Sequence, residues 1–128
     1  MTENKLFFDS NIWLDYFLEK NVKLGQMVDS PQGKIFTSIL SFHEVAKVLL
    51  NCGKNPAFVK DVLRFMRENS TVVQVNEDIV VDAVQWRMKN DLHAVDSILY
   101  QSALVSDALF ITADNDFIGL AKAYVVKV

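Results

Sequence analysis

The chain has 128 residues, enough for one domain with a substantial core and too few for two. Hydrophobic residues make up 51% of it, including nine Phe, two Trp and three Tyr, which excludes intrinsic disorder. The formal net charge of -3, with basic residues scattered along the chain, excludes a strongly basic domain that grips nucleic acid non-specifically.

The high apolar share fits a surface partly buried against a partner, and a homodimer is expected. The one cysteine, Cys52, excludes an internal disulfide and a cysteine-rich zinc site and agrees with a reducing compartment. Its flanks, Leu50, Asn51 and Gly53, place it at a helix end as a small space-filling residue. Met1 to Lys5 lack the basic and apolar regions of a secretory signal, and no apolar run approaches a membrane span. A cytoplasmic protein with no membrane partner is expected.

In chain order, Leu6-Phe7-Phe8 reads as a buried strand beginning at Lys5 and stopping on Asp9. The period then turns helical through Ile12, Trp13, Tyr16 and Phe17, predicting a helix from Asn11 to about Lys20, ended by a polar stretch near Gly25. Ser30-Pro31-Gln32-Gly33 reads as a turn. Lys34 to Thr37 reads as a strand, and a helix beginning near Ser41 carries Phe42, Val45, Ala46, Leu49 and Leu50. After a break at Gly53, Pro56 fits the first turn of a further helix with Phe58, Val62, Leu63, Phe65 and Met66. Ser70 to Val75 reads as a strand, Glu77 to Met88 as a helix, and Lys89-Asn90-Asp91 as a break. Ala94 to Val105 reads as a helix and Leu109 to Thr112 as a strand. A short helical turn near Phe117 to Ala121 and an edge strand from Tyr124 to Val126 close the chain. Strands alternating with helices predict an α/β fold: one domain over 1–128, with a mainly parallel sheet covered on both faces.

Four acids fall at element boundaries. Asp9 and Asp114 follow strands, and Glu44 and Asp96 are expected in the first turns of helices. A parallel sheet collects such positions along one edge, where unpaired carboxylates are tolerable around a cation. All-oxygen ligands select magnesium or manganese over zinc. Each acid also has a plain explanation. Asp9-Ser10-Asn11 can cap a helix, Ser41 and Glu44 fit a capping box, Asp96 suits a helix N-terminus, and Asp114-Asn115-Asp116 fits an Asx turn. Lys47, one turn beyond Glu44, can reach a phosphate but reads first as solvated surface. His43 and His93 read as ordinary histidines before proton shuttles, and Trp13 and Phe17 as core or partner-interface residues before base-stacking platforms.

Four segments carry a resemblance across nearly the whole chain. They are Phe8-Asp9-Ser10-Asn11-Ile12, Ser38-Ile39-Leu40-Ser41-Phe42-His43-Glu44-Val45, Asp96-Ser97-Ile98-Leu99-Tyr100-Gln101-Ser102-Ala103, and Ile111-Thr112-Ala113-Asp114-Asn115-Asp116-Phe117. In this order they resemble the signature segments of PIN-domain nucleases, most closely in length and order the VapC-type ribonuclease toxins of toxin–antitoxin pairs. The resemblance implies a three-layer α/β/α domain and a magnesium- or manganese-dependent endoribonuclease. Asp9, Glu44, Asp96 and Asp114 fall on the catalytic acidic quartet, with Asp9, Asp96 and Asp114 as metal ligands. Ser10, Asn11, Thr112 and Asp116 fall on supporting positions. An RNA substrate and a small antitoxin protein are the implied partners. A housekeeping RNA-processing nuclease and a non-catalytic receiver-like binding domain are the alternatives. A haloacid dehalogenase-type phosphatase needs an acid two residues after Asp9, where this chain has Asn11.

Overall fold

The computed structural model describes residues 4–18, 22–29 and 33–126. The first strand, β1 (Lys5–Phe8), runs straight into α1 (Ser10–Leu18). A second helix, α2 (Val22–Asp29), precedes β2 (Lys34–Ser38), which leads into α3 (Ile39–Asn51) and α4 (Pro56–Glu68). Then follow β3 (Thr71–Val73), α5 (Glu77–Asp82), α6 (Val84–Asn90), α7 (Ala94–Val105), β4 (Leu109–Thr112), a 3-10 turn at Asn115–Phe117 and β5 (Ala123–Val125).

The five strands form one sheet in the order β3-β2-β1-β4-β5, and every pairing is parallel. With β1 in the centre, the chain winds outward one way through β2 and β3 and the other way through β4 and β5. The reversal lies between β1 and β4, and in such sheets a crevice opens there beyond the strands' C-terminal ends. Asp9 and Thr112 stand at that edge, Asp9 directly after β1 and Thr112 closing β4.

The alternation of β1 decides how the layers are filled. Leu6 and Phe8 face one way, into a core with Ile12 and Trp13 of α1, Val45 and Leu49 of α3, and Val62 and Met66 of α4. Phe7 faces the other way and packs with Phe110 of β4, Leu99, Tyr100 and Ala103 of α7, and Phe117. Each such fully buried large side chain stabilises the fold by roughly 1.5–3 kcal/mol. Trp13 is fully buried and donates from Nε1 to Thr37 Oγ1 at 3.1 Å, which settles it as a core residue. The Tyr100 hydroxyl donates to the carbonyl of Ala121, tying α7 to the last connection. Where β2 begins, Lys34 N–H donates to the Asn4 carbonyl at 2.8 Å, and a Cβ on Gly33 would stand 2.2 Å from that oxygen. Only glycine fits this close approach. No helix among the described residues is long and apolar enough to cross a membrane.

Several boundaries differ from the sequence reading. The polar stretch after α1 is itself helical, as α2, despite Gly25 in its interior. The expected end of α1 near Lys20 and the turn residues Ser30 to Gln32 lie outside the described residues. α3 starts at Ile39, because the Ser38 hydroxyl accepts the Leu40 N–H at 3.1 Å and so caps it. Ser41 is therefore inside the helix, no capping box forms, and Glu44 lies in the second turn and not the first. The expected helix from Glu77 to Met88 is two helices parted at Ala83. The third strand is shorter than expected, the 3-10 turn begins at Asn115, and β5 starts one residue early at Ala123. Cys52 caps the end of α3 as expected but is exposed, so it fills no interior space.

Candidate active site

Asp9 is the fixed point of the site. Its Oδ1 accepts the Ser10 N–H at 2.7 Å, and its Oδ2 accepts the Thr112 hydroxyl at 2.7 Å and Asn11 Nδ2 at 3.3 Å. Ser10 is thus a donor through its backbone, at the first residue of α1. Asn11 links three segments: Nδ2 also donates to Thr112 Oγ1 at 3.2 Å, and Oδ1 accepts the Ala113 N–H at 3.0 Å. Thr112 Oγ1 accepts the Asp114 N–H at 3.0 Å, and Asp114 Oδ1 in turn accepts the Asp116 N–H at 2.9 Å. The end of β4 and the turn after it are consequently tied to the junction of β1 and α1 by these side chains and by the backbone bond from Asp9 N–H to the Ile111 carbonyl at 2.9 Å. Asp114 does serve as the cap of its 3-10 turn, as the plain reading had it, and Asp9 receives the helix N–H of Ser10.

The electrostatics go beyond capping. Asp9 is 5% exposed, and burial is the main reason that its carboxyl rises from an ordinary 3.8 to about 6. The hydrogen bonds from Thr112 and Ser10 oppose that rise, and the negative charges of Asp96 and Asp114 add to it. Asp96, half-buried in the first turn of α7, is also raised. Burial is again the largest cause, followed by Asp114; His93 works against the rise, and Asp116 and Glu44 add to it. Elements far apart in sequence thus bring Asp9, Asp96 and Asp114 within electrostatic reach of one another. Glu44, exposed on α3, is felt by Asp96 but is not among the groups that shift Asp9.

Among the described residues no three carboxylate, histidine or cysteine side chains are grouped closely enough to hold an ion unaided. Magnesium does not require that. It keeps several waters and is held by one or two carboxylates together with phosphate oxygens. A carboxylate raised mainly by its burial, with further carboxylates in reach and oxygen donors around it, fits a hydrated hard cation and does not fit zinc.

Two features of this region were not visible in the sequence. His93, immediately before α7, lies close enough to Asp96 for its charge to matter, and only the spacing of the two at a helix start signals it. Ser41 Oγ is buried with no hydrogen-bond partner, where the sequence suggested a cap. Lys47 and His43 are exposed on α3.

The profile of the PIN domain matches residues 6–123. The chain belongs to the PIN-domain family. The parallel sheet with helices on both faces is the α/β/α fold expected of it. No curated protein is significantly similar in sequence. Among solved structures, a chain of a toxin–antitoxin complex from Klebsiella pneumoniae is similar with a TM-score of 0.77 and 19% identity, over 94% of this PIN domain and 99% of that chain. VapC20 of Mycobacterium tuberculosis, described as a sarcin-ricin loop cleaving toxin, gives a TM-score of 0.74 and 18% identity, over 96% of this chain and 98% of that one. VapBC2 of Rickettsia felis, bound to a promoter DNA fragment, gives 0.72 and 11%, over 95% and 97%. At these identities the likeness is one of fold.

Proposed function

We propose that this PIN domain is a metal-dependent endoribonuclease, the toxin of a type II toxin–antitoxin pair, which hydrolyses RNA phosphodiester bonds. The observation that carries the reading is the buried Asp9 carboxylate at the reversal point of the sheet, held by Ser10, Asn11 and Thr112, raised mainly by burial and further by the charges of Asp96 and Asp114. Such an arrangement is destabilising for an empty pocket and suited to a cation.

Asp9, Asp96 and Asp114 would hold Mg2+ or Mn2+, with Glu44 at the margin of the site as the fourth acid. The bound ion would supply an activated water and neutralise charge growing on the scissile phosphate. Thr112 and Asn11 fix the Asp9 carboxylate, so that its oxygens need not reorganise during reaction. Asp116 braces Asp114 through its backbone N–H. Hydrolysis on this scheme needs no protein nucleophile. An acidic cleft can accept an anionic polymer because the cation reverses the local field. The toxin assignment draws support from toxin–antitoxin assemblies among proteins of the same fold at nearly full length. An antitoxin segment would cover the acidic cleft and the apolar helices flanking it.

The test is cleavage of a panel of structured RNAs by the purified chain with Mg2+, with Mn2+ and with EDTA. Cleavage that requires the ion and is lost in Asp9→Asn is the expected result. Intact RNA in every condition, from protein shown to be folded, overturns the nuclease reading. Growth arrest on expression, relieved by a small protein encoded beside it, supports the toxin over a housekeeping RNA-processing enzyme.

A further inference from the structure

The connection between α6 and α7 sets a base beside the acids. α6 ends at Asn90 and α7 begins at Ala94, so Asp91, Leu92 and His93 make up the whole connection. Asp91 takes left-handed backbone at φ 54 and ψ 42, a conformation that aspartate tolerates better than most residues. Leu92 is buried in the core that holds Phe7, Leu99 and Tyr100, and pins the connection there. His93 is thereby fixed as the N-cap of α7, and its carbonyl accepts the Ser97 N–H at 3.0 Å. The ring takes no part in the cap and, among the described residues, makes no hydrogen bond.

An N-cap residue and the third residue of its helix are neighbours on one face, as in a capping box, with roughly 5–6 Å between their Cβ atoms. That relation puts the exposed imidazole of His93 next to Asp96 at the rim of the site. The Asp96 carboxyl is raised first by burial and then by Asp114, Asp116 and Glu44, and the charge of His93 opposes them. The exposed acids Glu44 and Asp116 repel a phosphate that approaches from their sides. The His93 side attracts one, because an imidazole presents an N–H donor whether neutral or protonated.

We propose that His93 binds the substrate RNA, donating a ring N–H to a backbone phosphate beside the scissile bond, so that the strand crosses the site on the side of the α6–α7 connection. The proposal rests on the nuclease reading and adds to it a residue that positions the substrate.

Single-turnover cleavage by the full chain tests it, with a synthetic RNA spanning the bond that wild type cuts and with RNA and Mn2+ each titrated in turn. His93→Ala should raise the half-saturating RNA concentration about tenfold while the rate at saturation falls less than about threefold, since the contact is made to bound substrate and transition state alike. His93→Gln, which keeps an N–H donor, should return to within about threefold of wild type. His93→Glu should raise the half-saturating RNA concentration at least about 100-fold. The half-saturating Mn2+ concentration should move less than about threefold in His93→Ala. A change confined to the Mn2+ requirement would mean that His93 acts only by supporting Asp96, and it overturns the proposal. An alanine variant with the wild-type RNA requirement, or a glutamine no better than alanine, overturns it equally. These outcomes all require a wild type that cuts RNA; a wild type that cuts none with either ion overturns the nuclease reading and the proposal with it.

Discussion

Replacing Asp9 by asparagine keeps the side chain's shape and removes its charge, and two opposing quantities decide the effect on stability. The carboxyl lies at about 6 in the fold against an ordinary 3.8. A group raised in this way favours the fold while protonated, so its contribution is fully present below about pH 4 and lost as pH rises through about 6. At about pH 8 the ionised Asp9 therefore costs about 3 kcal/mol, since each tenfold change in proton affinity is worth about 1.4 kcal/mol. Asparagine escapes that cost but disturbs the bonds around it. One oxygen of Asp9 accepts from Ser10 and the other from Asn11 and Thr112, so the amide nitrogen of an asparagine faces a donor whichever way it is turned. Thr112 Oγ1 offers no relief, since it already accepts from Asn11 and from the Asp114 N–H. The lost bonds cost about 1–2 kcal/mol. Urea melts in EDTA should thus find Asp9→Asn no more stable than wild type at about pH 4.5 and more stable by about 1–2 kcal/mol at about pH 8. Subtracting the two proteins cancels every other titrating group. A stability difference that stays constant over this range would refute the account, because Asp9 would then ionise without penalty.

Three further outcomes are expected. Mg2+ or Mn2+ added to the metal-stripped chain at about pH 8 should raise its stability by about 2.7 kcal/mol at a hundred times the dissociation constant, as read by thermal melting, and the gain should vanish in Asp9→Asn. Thr112→Val, which matches the shape of threonine but removes a hydroxyl serving Asp9, Asn11 and Asp114, should destabilise by about 2 kcal/mol. It should also slow RNA cleavage at least about tenfold in a single-turnover assay, and an unchanged rate would show that Asp9 needs no positioning. Gly33→Ala should lower stability by roughly 2–4 kcal/mol in denaturant melts, since the new methyl meets a backbone oxygen that anchors the start of β2.

The sequence carried the long apolar signals well. β1, α7 and β4 lie where Leu6 to Phe8, Val95 to Ala103 and Leu109 to Ile111 place them, because each has one unambiguous period and a polar stop. α2 escaped notice because Gly25 and the polar Lys23 and Gln26 look like a break, while the helix there is set by packing against α1. The start of α3 turned on two serines with equal capping chemistry. Only the register of β2 against β3, which carries the strand as far as Ser38, selects between them. Asp9, Asp96 and Asp114 were legible as positions after strands and at a helix start, while Glu44 lies a turn later in its helix than expected. Their mutual distances were not, since Thr112 meets Asp9 across 103 residues and no local pattern encodes that meeting. Which side of α5 and α6 meets the core was hidden for a related reason. Ile79, Val80, Ala83 and Val84 share one helical period in the sequence, and only burial shows Ile79 and Ala83 inward and Val80 and Val84 exposed.

That same hydrogen bond between Thr112 and Asp9 bears on the order of events during synthesis. The aspartate is made 103 residues before the threonine that steadies it. An elongating chain on the ribosome therefore holds no assembled centre until β4 has been made, and destructive chemistry, if the domain cleaves RNA as proposed, begins only after that strand has joined the sheet.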